Sequence, residues 1–364
     1  MIKNDCIHFR GDKPCAFNLF CDQCSHFKPY PAKILVIKCR AMGDVLRTTA
    51  LLPGLKRKYP QSFISWLVDE ESVELLFHNP HIDKIILFRL EAVLPFLVEK
   101  FDILISLDKE SGQTALATKI QSRQKFGFGL NEYGNLMVFN PAAEYAFALG
   151  IDNELKYRRN TKTYQEIIYD IAEIDYQNEP YVFELKEESR EKARHFLTRH
   201  RVDRKRLAVS LNTGAGTKFI TKQWPVQHLT KLIRLLTSKL KANVFLLGGT
   251  REREMNRKLA RQFPHGVYNT GSENSLLEFA GFISFMDILV SSDSLGMHLG
   301  IALGKKVIAL FGPTCPQEIS LYGRGMKLFA GVSCAPCYFA TCPDGKCMSE
   351  ITPEQVFEEI IKIV

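Results

Sequence analysis

A chain of 364 residues with 46% apolar and 24% charged residues is too apolar to be disordered and long enough for two domains, each with its own core. Its 48 lysines and arginines against 40 acidic residues give a formal charge of +8, which favours acidic partners without choosing among nucleotide, nucleic acid and anionic membrane. No apolar window approaches bilayer length and no basic-then-apolar leader opens the sequence, so a cytoplasmic protein is expected.

Residues 1–32 form a cysteine-rich extension carrying Cys6, Cys15, Cys21 and Cys24. From Lys33 the strand-like runs ILVIK, SFISWLV, KIILF and FDILISL alternate with helical patterns, the signature of βαβ units and a parallel sheet. This predicts a first Rossmann-like domain over 33–185. Between about Glu144 and Arg206 the strand signal weakens, and KYRRNTK and RHRVDRKR read as solvated linker and helix surface or as an anion-facing loop. A second series, LAVSLNTGAG, NVFLLGG, VYNTG, DILVSSDS and KVIALFG, predicts a second doubly wound domain over 186–350, with a cysteine-rich loop at 334–347. The chain closes on ITPEQVFEEIIKIV, a helix over 351–364. Thr352 is its N-cap, Pro353 its first residue, and Val356, Ile360, Ile363 and Val364 are free to pack.

Four strand-to-helix junctions carry polar chemistry. In KCRAMGDVLRTT, Gly43 allows a tight turn and Asp44 either caps the following helix or projects into a cleft at the strand ends. In SLNTGAGTKFITKQWP, small residues at Thr213 and Gly214 let backbone N–H groups approach a phosphate, and Lys222 supplies a point charge. After Gly248-Gly249, Glu252 either starts a helix on dipole grounds or accepts hydrogen bonds from ribose hydroxyls or an adenine amine. In ILVSSDSLGMHLG, the carboxylate of Asp293, the hydroxyl of Ser294, the N–H of Gly296, a helix N-terminus and His298 converge, which suits a diphosphate.

Together these stretches resemble one family, the ADP-heptose:lipopolysaccharide heptosyltransferases, inverting glycosyltransferases of family nine. The resemblance rests on Gly43-Asp44, Asn212-Thr213-Gly214-Ala215, Lys222-Gln223-Trp224-Pro225, Gly248-Gly249, and Asp293 to His298 followed by Ala302-Leu303-Gly304, in order across nearly all of 33–364. The sequence departs from the family pattern at Leu295, an extra residue before the glycine, at Lys306 where proline is common, and at Ala41-Met42 where Ser-Leu is frequent. None of these removes a charge or donor that the chemistry requires.

The resemblance implies an α/β fold of GT-B architecture, two Rossmann-like domains facing across a cleft, with the acceptor on the N-terminal side and the nucleotide sugar on the C-terminal side. Asp44 would be the general base, its pKa tuned upward by desolvation. Thr213, Gly214, Lys222, Glu252, Asp293, Ser294, Gly296 and His298 would bind the nucleotide sugar and its leaving diphosphate. The implied donor is ADP-heptose. The implied acceptor is an anionic glycolipid of the lipopolysaccharide inner core, met by peripheral contact at the cytoplasmic face of the inner membrane. Transfer of another nucleotide sugar, or its epimerisation, is the alternative. With no Asp-x-Asp motif at a strand end, no catalytic metal is expected.

Two cysteine quartets remain: Cys6, Cys15, Cys21 and Cys24, and Cys334, Cys337, Cys342 and Cys347. Each contains a C-x2-C pair suited to structural zinc or an iron–sulfur cluster; disulfides or free thiols are the competing readings. A C-terminal set of this kind recurs among the family's relatives. Cysteine pairs and positive charge also suggest a zinc-containing nucleic-acid-binding module. No basic segment is interleaved with aromatics in a nucleic-acid-reading pattern, so no nucleic-acid partner is expected.

Overall fold

The computed structural model describes residues 1–216 and 218–364. Two six-stranded sheets organise it. The first contains β1 (Lys33–Ile37), β2 (Phe63–Val68), β3 (Lys84–Leu87), β4 (Lys100–Ser106), β5 (Gln121–Leu130) and β6 (Leu136–Val138) in the order β3-β2-β1-β4-β5-β6, parallel except for the β5–β6 pair. The second contains β7 (Ala208–Asn212), β8 (Asn243–Leu247), β9 (Val267–Asn269), β10 (Ile288–Ser292), β11 (Lys306–Phe311) and β12 (Gly325–Phe329) in the order β12-β11-β10-β7-β8-β9, parallel throughout. Each order reverses direction once, between β1 and β4 and between β7 and β10. Ligands of doubly wound sheets bind outside the carboxyl ends of the strands at that reversal.

Apolar continuity in the central strands follows from burial on both faces. In β1, Ile34 and Val36 join one core while Leu35 and Ile37 join the opposite one, as a period of two requires. In β11, Ile308 and Leu310 face one layer while Val307, Ala309 and Phe311 face the other. Three strands carry no such signal and escape the sequence pattern. The first half of β5 is solvated and polar, β6 is three half-buried residues, and β12 is a part-exposed edge strand.

The stretch between about 144 and 206 does more than link. Thr163 and Glu166 close a capping box on helix Tyr164–Ile171, whose Ile167, Ile168, Tyr169 and Ile171 enter the first core. The following extended segment carries Tyr181 and Leu185 into a third apolar cluster, shared by Leu46, Ala50 and Leu75 of the first lobe and by Phe282, Met297 and Leu299 of the second. The two lobes are thus joined by a hydrophobic seam at the base of the cleft. No helix among the described residues is long and apolar enough to cross a membrane.

At the C-terminus, Thr352 and Gln355 form the expected capping box on helix Pro353–Ile363. Its buried face is Val356, Phe357 and Ile360, which lie in the second core beside Leu229 and Leu232. Val364, expected to pack, is 64% exposed because it lies beyond the last turn. Ile360→Ala is expected to leave a cavity there and lower stability by about 2–5 kcal/mol, read from the urea midpoint of unfolding; a change below about 0.5 kcal/mol would mean that this helix is peripheral to the core.

Candidate functional site

The carboxyl ends of β1 and β4 in one lobe face those of β7 and β10 in the other across a cleft of about 1500 Å³. From the first lobe the cleft is lined by Arg40, Gly43, Asp44, Arg47 and Lys156. From the second it is lined by Asn212, Gly214, Lys222, Glu252, Asp293, Ser294, Gly296, His298 and Glu318.

Asp44 is not the cap of its helix. Helix Met42–Thr48 begins after Ala41, at φ 60°, and the Asp44 backbone N–H donates to the Ala41 carbonyl at 2.7 Å. Its carboxylate is left to face Arg47 at 2.9 Å and the Lys38 ammonium at 4.0 Å. Burial alone would raise its pKa, but Arg47 and then Lys38 outweigh burial and hold it below the usual carboxylate range. This reverses the expectation of an upward-tuned base: Asp44 is fully ionised at neutral pH.

That cationic setting is built from the ends of two strands. Lys38, directly after β1, is clamped by Asp108 beyond β4 at 2.6 Å, and the other Asp108 oxygen accepts from the Cys39 N–H at 2.5 Å. Arg47 lies with its guanidinium 3.7 Å from the centre of the Tyr164 ring, and the Tyr164 hydroxyl meets that of Thr48 at 2.7 Å. Burial would neutralise Arg47, but Asp44, Tyr164 and Glu318 keep it charged. Lys38, Arg47, Asp108, Tyr164 and Glu318 are site residues that sequence reasoning missed. Lys38 and Arg47 flank the Gly43-Asp44 turn and were within reach of a closer look; Asp108, Tyr164 and Glu318 arrive from distant segments and leave no local signal.

In the second lobe, the Asn212 side-chain amide donates to the Gly214 carbonyl at 3.2 Å, the Ser291 hydroxyl at 3.0 Å and the Ser294 hydroxyl at 2.9 Å, tying the ends of β7 and β10 together. Gly296 is required by this closeness, since a Cβ there would stand 2.6 Å from that amide nitrogen. Ser294 occupies the N-cap position of helix Leu295–Ala302 without capping it, so the first amides of that helix open toward the cleft. Lys222 pairs with Asp293 at 2.8 Å and reaches its carbonyl at 3.1 Å. The Glu252 carboxylate accepts from the Gly249 N–H at 2.9 Å, and a Cβ on Gly214 would lie 2.8 Å from its carboxyl carbon. Glu252 thus both anchors the Gly-Gly turn and borders the cleft.

His298 is 5% exposed, with Nδ1 3.3 Å from the Tyr181 hydroxyl and Nε2 4.0 Å from Asp293. Burial, reinforced by Arg47, lowers its pKa to about 4. The imidazole is therefore neutral at pH 7 and offers a hydrogen bond rather than a positive charge.

Thr213, expected at the phosphate, turns away from the cleft. It is 4% exposed, and its hydroxyl engages the Leu247 carbonyl at 2.9 Å and the Asn256 side chain at 2.8 Å. A strand's side chains alternate, so with Asn212 facing the cleft its neighbour points inward. Neither cysteine quartet forms a ligand set: among the described residues no three His, Cys, Asp or Glu side chains stand close enough to hold a metal ion. All ten cysteines are free thiols. Burial, with Cys337, Cys334 and Cys342 close by, pushes the Cys347 thiol up, so the C-terminal four are neighbours in space. Cys347 is buried in the second core against Gly312, Cys337 is half-buried, and Cys334 and Cys342 are exposed. Cys6, Cys15, Cys21 and Cys24 are half-buried along an extension that contributes nothing to any apolar core.

Residues 96–348 match glycosyltransferase family 9 (heptosyltransferase). The lipopolysaccharide heptosyltransferase 1 of Campylobacter coli is 24% identical over 300 residues, which cover 78% of this chain and 84% of that protein. Among solved structures, a glycosyl transferase family 9 protein from Veillonella parvula DSM 2008 superposes with a TM-score of 0.73 at 21% identity, covering 93% of this chain and 98% of that one. The E. coli heptosyltransferase WaaC, solved with ADP, superposes with a TM-score of 0.62 at 22% identity, covering 91% and 100%. These likenesses bear out the two-lobed GT-B fold.

The neutral imidazole has a measurable consequence. Its folded-state pKa, about 4, lies below the ordinary 6.5, so on acidification the unfolded chain takes up the proton first. The stability tied to His298 is complete above about pH 6.5 and is lost progressively toward about pH 4, on the order of 3 kcal/mol in all. His298→Gln is expected to be less acid-sensitive than the parent when urea midpoints are compared between about pH 7 and about pH 4.5. Equal losses in both proteins would contradict a buried neutral imidazole.

Proposed function

The chain belongs to glycosyltransferase family 9, the heptosyltransferases, and is a glycosyltransferase; from that premise we propose that it transfers a heptose from ADP-heptose to an anionic, lipid-linked acceptor of the lipopolysaccharide inner core, with inversion at the anomeric carbon. The observation that carries this reading is the convergence across one cleft of an ionised carboxylate from the first lobe, Asp44, with the ensemble of Lys222, the open helix start at Ser294 to Gly296, and His298 from the second. A relative named for heptose transfer to lipopolysaccharide and a fold neighbour solved with ADP support the choice of donor and acceptor.

In this reading the acceptor hydroxyl attacks the anomeric carbon from the face opposite the diphosphate, and its proton passes to the Asp44 carboxylate as the new C–O bond forms. The bond from carbon to the diphosphate oxygen breaks, and the electron pair leaves with ADP. Charge developing on the diphosphate is met by the amides at the start of helix Leu295–Ala302, by the Lys222 ammonium, and by a hydrogen bond from neutral His298. Glu252, anchored by the Gly249 N–H, takes the hydroxyls of the ribose. The lipid end of the acceptor stays in the membrane, so the protein works by peripheral contact at the cytoplasmic face of the inner membrane.

Asp44→Asn is expected to keep the shape of the site and its nucleotide affinity while transfer falls by about 10²–10⁴-fold, the usual share of a positioned base. Calorimetry with ADP and a transfer assay on the same sample separate the two effects; near-normal transfer would remove Asp44 from the chemistry. Lys222→Ala is expected to weaken ADP binding, and it also leaves Asp293 without its cation. Unchanged affinity would defeat the assignment of the diphosphate to this corner of the cleft.

A further inference from the structure

With Asp44 read as the base, the question becomes why so strongly paired a carboxylate would accept a proton at all. The groups facing it come from every side of the cleft. Arg47 lies on its own helix, and Lys38 at the end of β1 is neutralised by Asp108. His298 is uncharged, and Asp293 is satisfied by Lys222. Glu318 lines the same space beside Arg47 and Lys156, and Tyr164 and Tyr181 border it as neutral phenols. With the Lys38–Asp108 and Lys222–Asp293 pairs closed, Arg47 is the cation in direct contact with Asp44, and Lys156 and Glu318 line the same space. An anion that reaches Arg47 competes with Asp44 for it.

Arg47 is the cation placed for such an exchange. Its plane is set by the Tyr164 face at 3.7 Å, and one amino group holds Asp44 at 2.9 Å. Its Nε has no partner among the described residues although the side chain is almost fully buried. A guanidinium offers five donors in a planar fork matched to carboxylates and phosphates, and this one is incompletely used. Lys156, whose ammonium stands 3.9 Å from the centre of the Tyr338 ring, lines the same cleft as a second cation.

We propose that Arg47 is a positioning residue that reads an anionic group, carboxylate or phosphate, on the acceptor: the group draws the guanidinium onto itself and thereby releases Asp44 from its ion pair, so that the base is switched on only in the complex with a correctly charged acceptor. In the empty cleft the Arg47–Asp44 pair keeps the carboxylate unreactive toward stray hydroxyls, including water, and protects the nucleotide sugar from hydrolysis. This deepens the transferase reading and depends on it.

The test uses the full-length protein, ADP-heptose and three acceptors: a deacylated inner-core oligosaccharide, the same compound with its carboxylates methyl-esterified, and the same compound dephosphorylated. The parent enzyme is expected to lose about tenfold or more in kcat on whichever treatment removes the anion that Arg47 reads, which identifies that anion. R47Q is expected to be slow on all three and to discriminate among them less than threefold, with ADP affinity by calorimetry unchanged as the control for folding. The acid limb of its kcat/KM profile should move up by about one pH unit, because Asp44 has lost its nearest cation. Should R47Q fold poorly, the parent alone decides: the acid limb of kcat must lie at higher pH with the intact acceptor than with the one lacking the anion that is read. Undiminished discrimination by R47Q, or identical acid limbs for the parent's acceptors, overturns the role of Arg47. An active D44N would instead overturn the reading of Asp44 as the base; an inactive D44N with a fully discriminating R47Q overturns only the present proposal.

Discussion

At Gly43 a side chain would begin 2.6 Å from Cδ2 of the His298 ring, and the site depends on that missing atom. Helices Met42–Thr48 and Leu295–Ala302 belong to different lobes, yet they approach closely enough for the imidazole to lie against bare backbone. That approach draws the Asp44 turn of one Rossmann-like unit to the Asp293–His298 junction of the other. It also seals the base of the cleft, where Leu46 and Ala50 meet Met297 and Leu299 in a shared apolar cluster. A larger residue at 43 would have to displace a ring that is itself packed against Tyr181, and the two lobes would part at the point where their chemistry meets.

Bringing the lobes together also sets the electrostatics. Lys38, Arg47, Lys222, Asp44, Asp293 and Glu318 gather partly buried around one cleft, and there charges act on one another more strongly than at an open surface. His298 loses its proton because burial and Arg47 act in the same direction. Asp44 keeps its charge because Arg47 and Lys38 oppose burial. The two groups therefore fall into complementary states, one anionic and one neutral, which the proposed transfer would use as proton acceptor and hydrogen-bond donor.

The two lobes share one strand order, and the second is the more regular. Its six strands are parallel with cores on both faces, whereas the first ends in an antiparallel hairpin at β5 and β6. In the first lobe, Asp44 and Arg47 reach the cleft from one helix, Met42–Thr48, and Lys156 from the π-helical turn Leu155–Arg159.

What the amino-acid sequence determined by itself was whatever repeats at short range. Buried parallel strands must be apolar on both faces, so nine of the twelve were legible as runs, and glycine-bearing junctions such as Gly43-Asp44 and Asp293 to Gly296 marked where chain reversal meets polar chemistry. The helix cap at Thr352 was equally local and equally clear. What only the tertiary structure decided was whatever depends on direction and depth. Alternation along β7 turned Thr213 inward, although its neighbours face the cleft. Cys334, Cys337 and Cys342 come near Cys347, but they differ in depth, with Cys347 buried and Cys334 and Cys342 exposed. Asp108, Tyr164 and Glu318 entered the site from 64, 120 and 274 residues beyond Asp44; Asp108 holds Lys38 charged, Tyr164 and Glu318 lie against Arg47, and those two cations reverse the expected direction of the Asp44 shift. A pKa is a sum over neighbours in space, and spatial neighbours this far apart in the chain are created only when it folds.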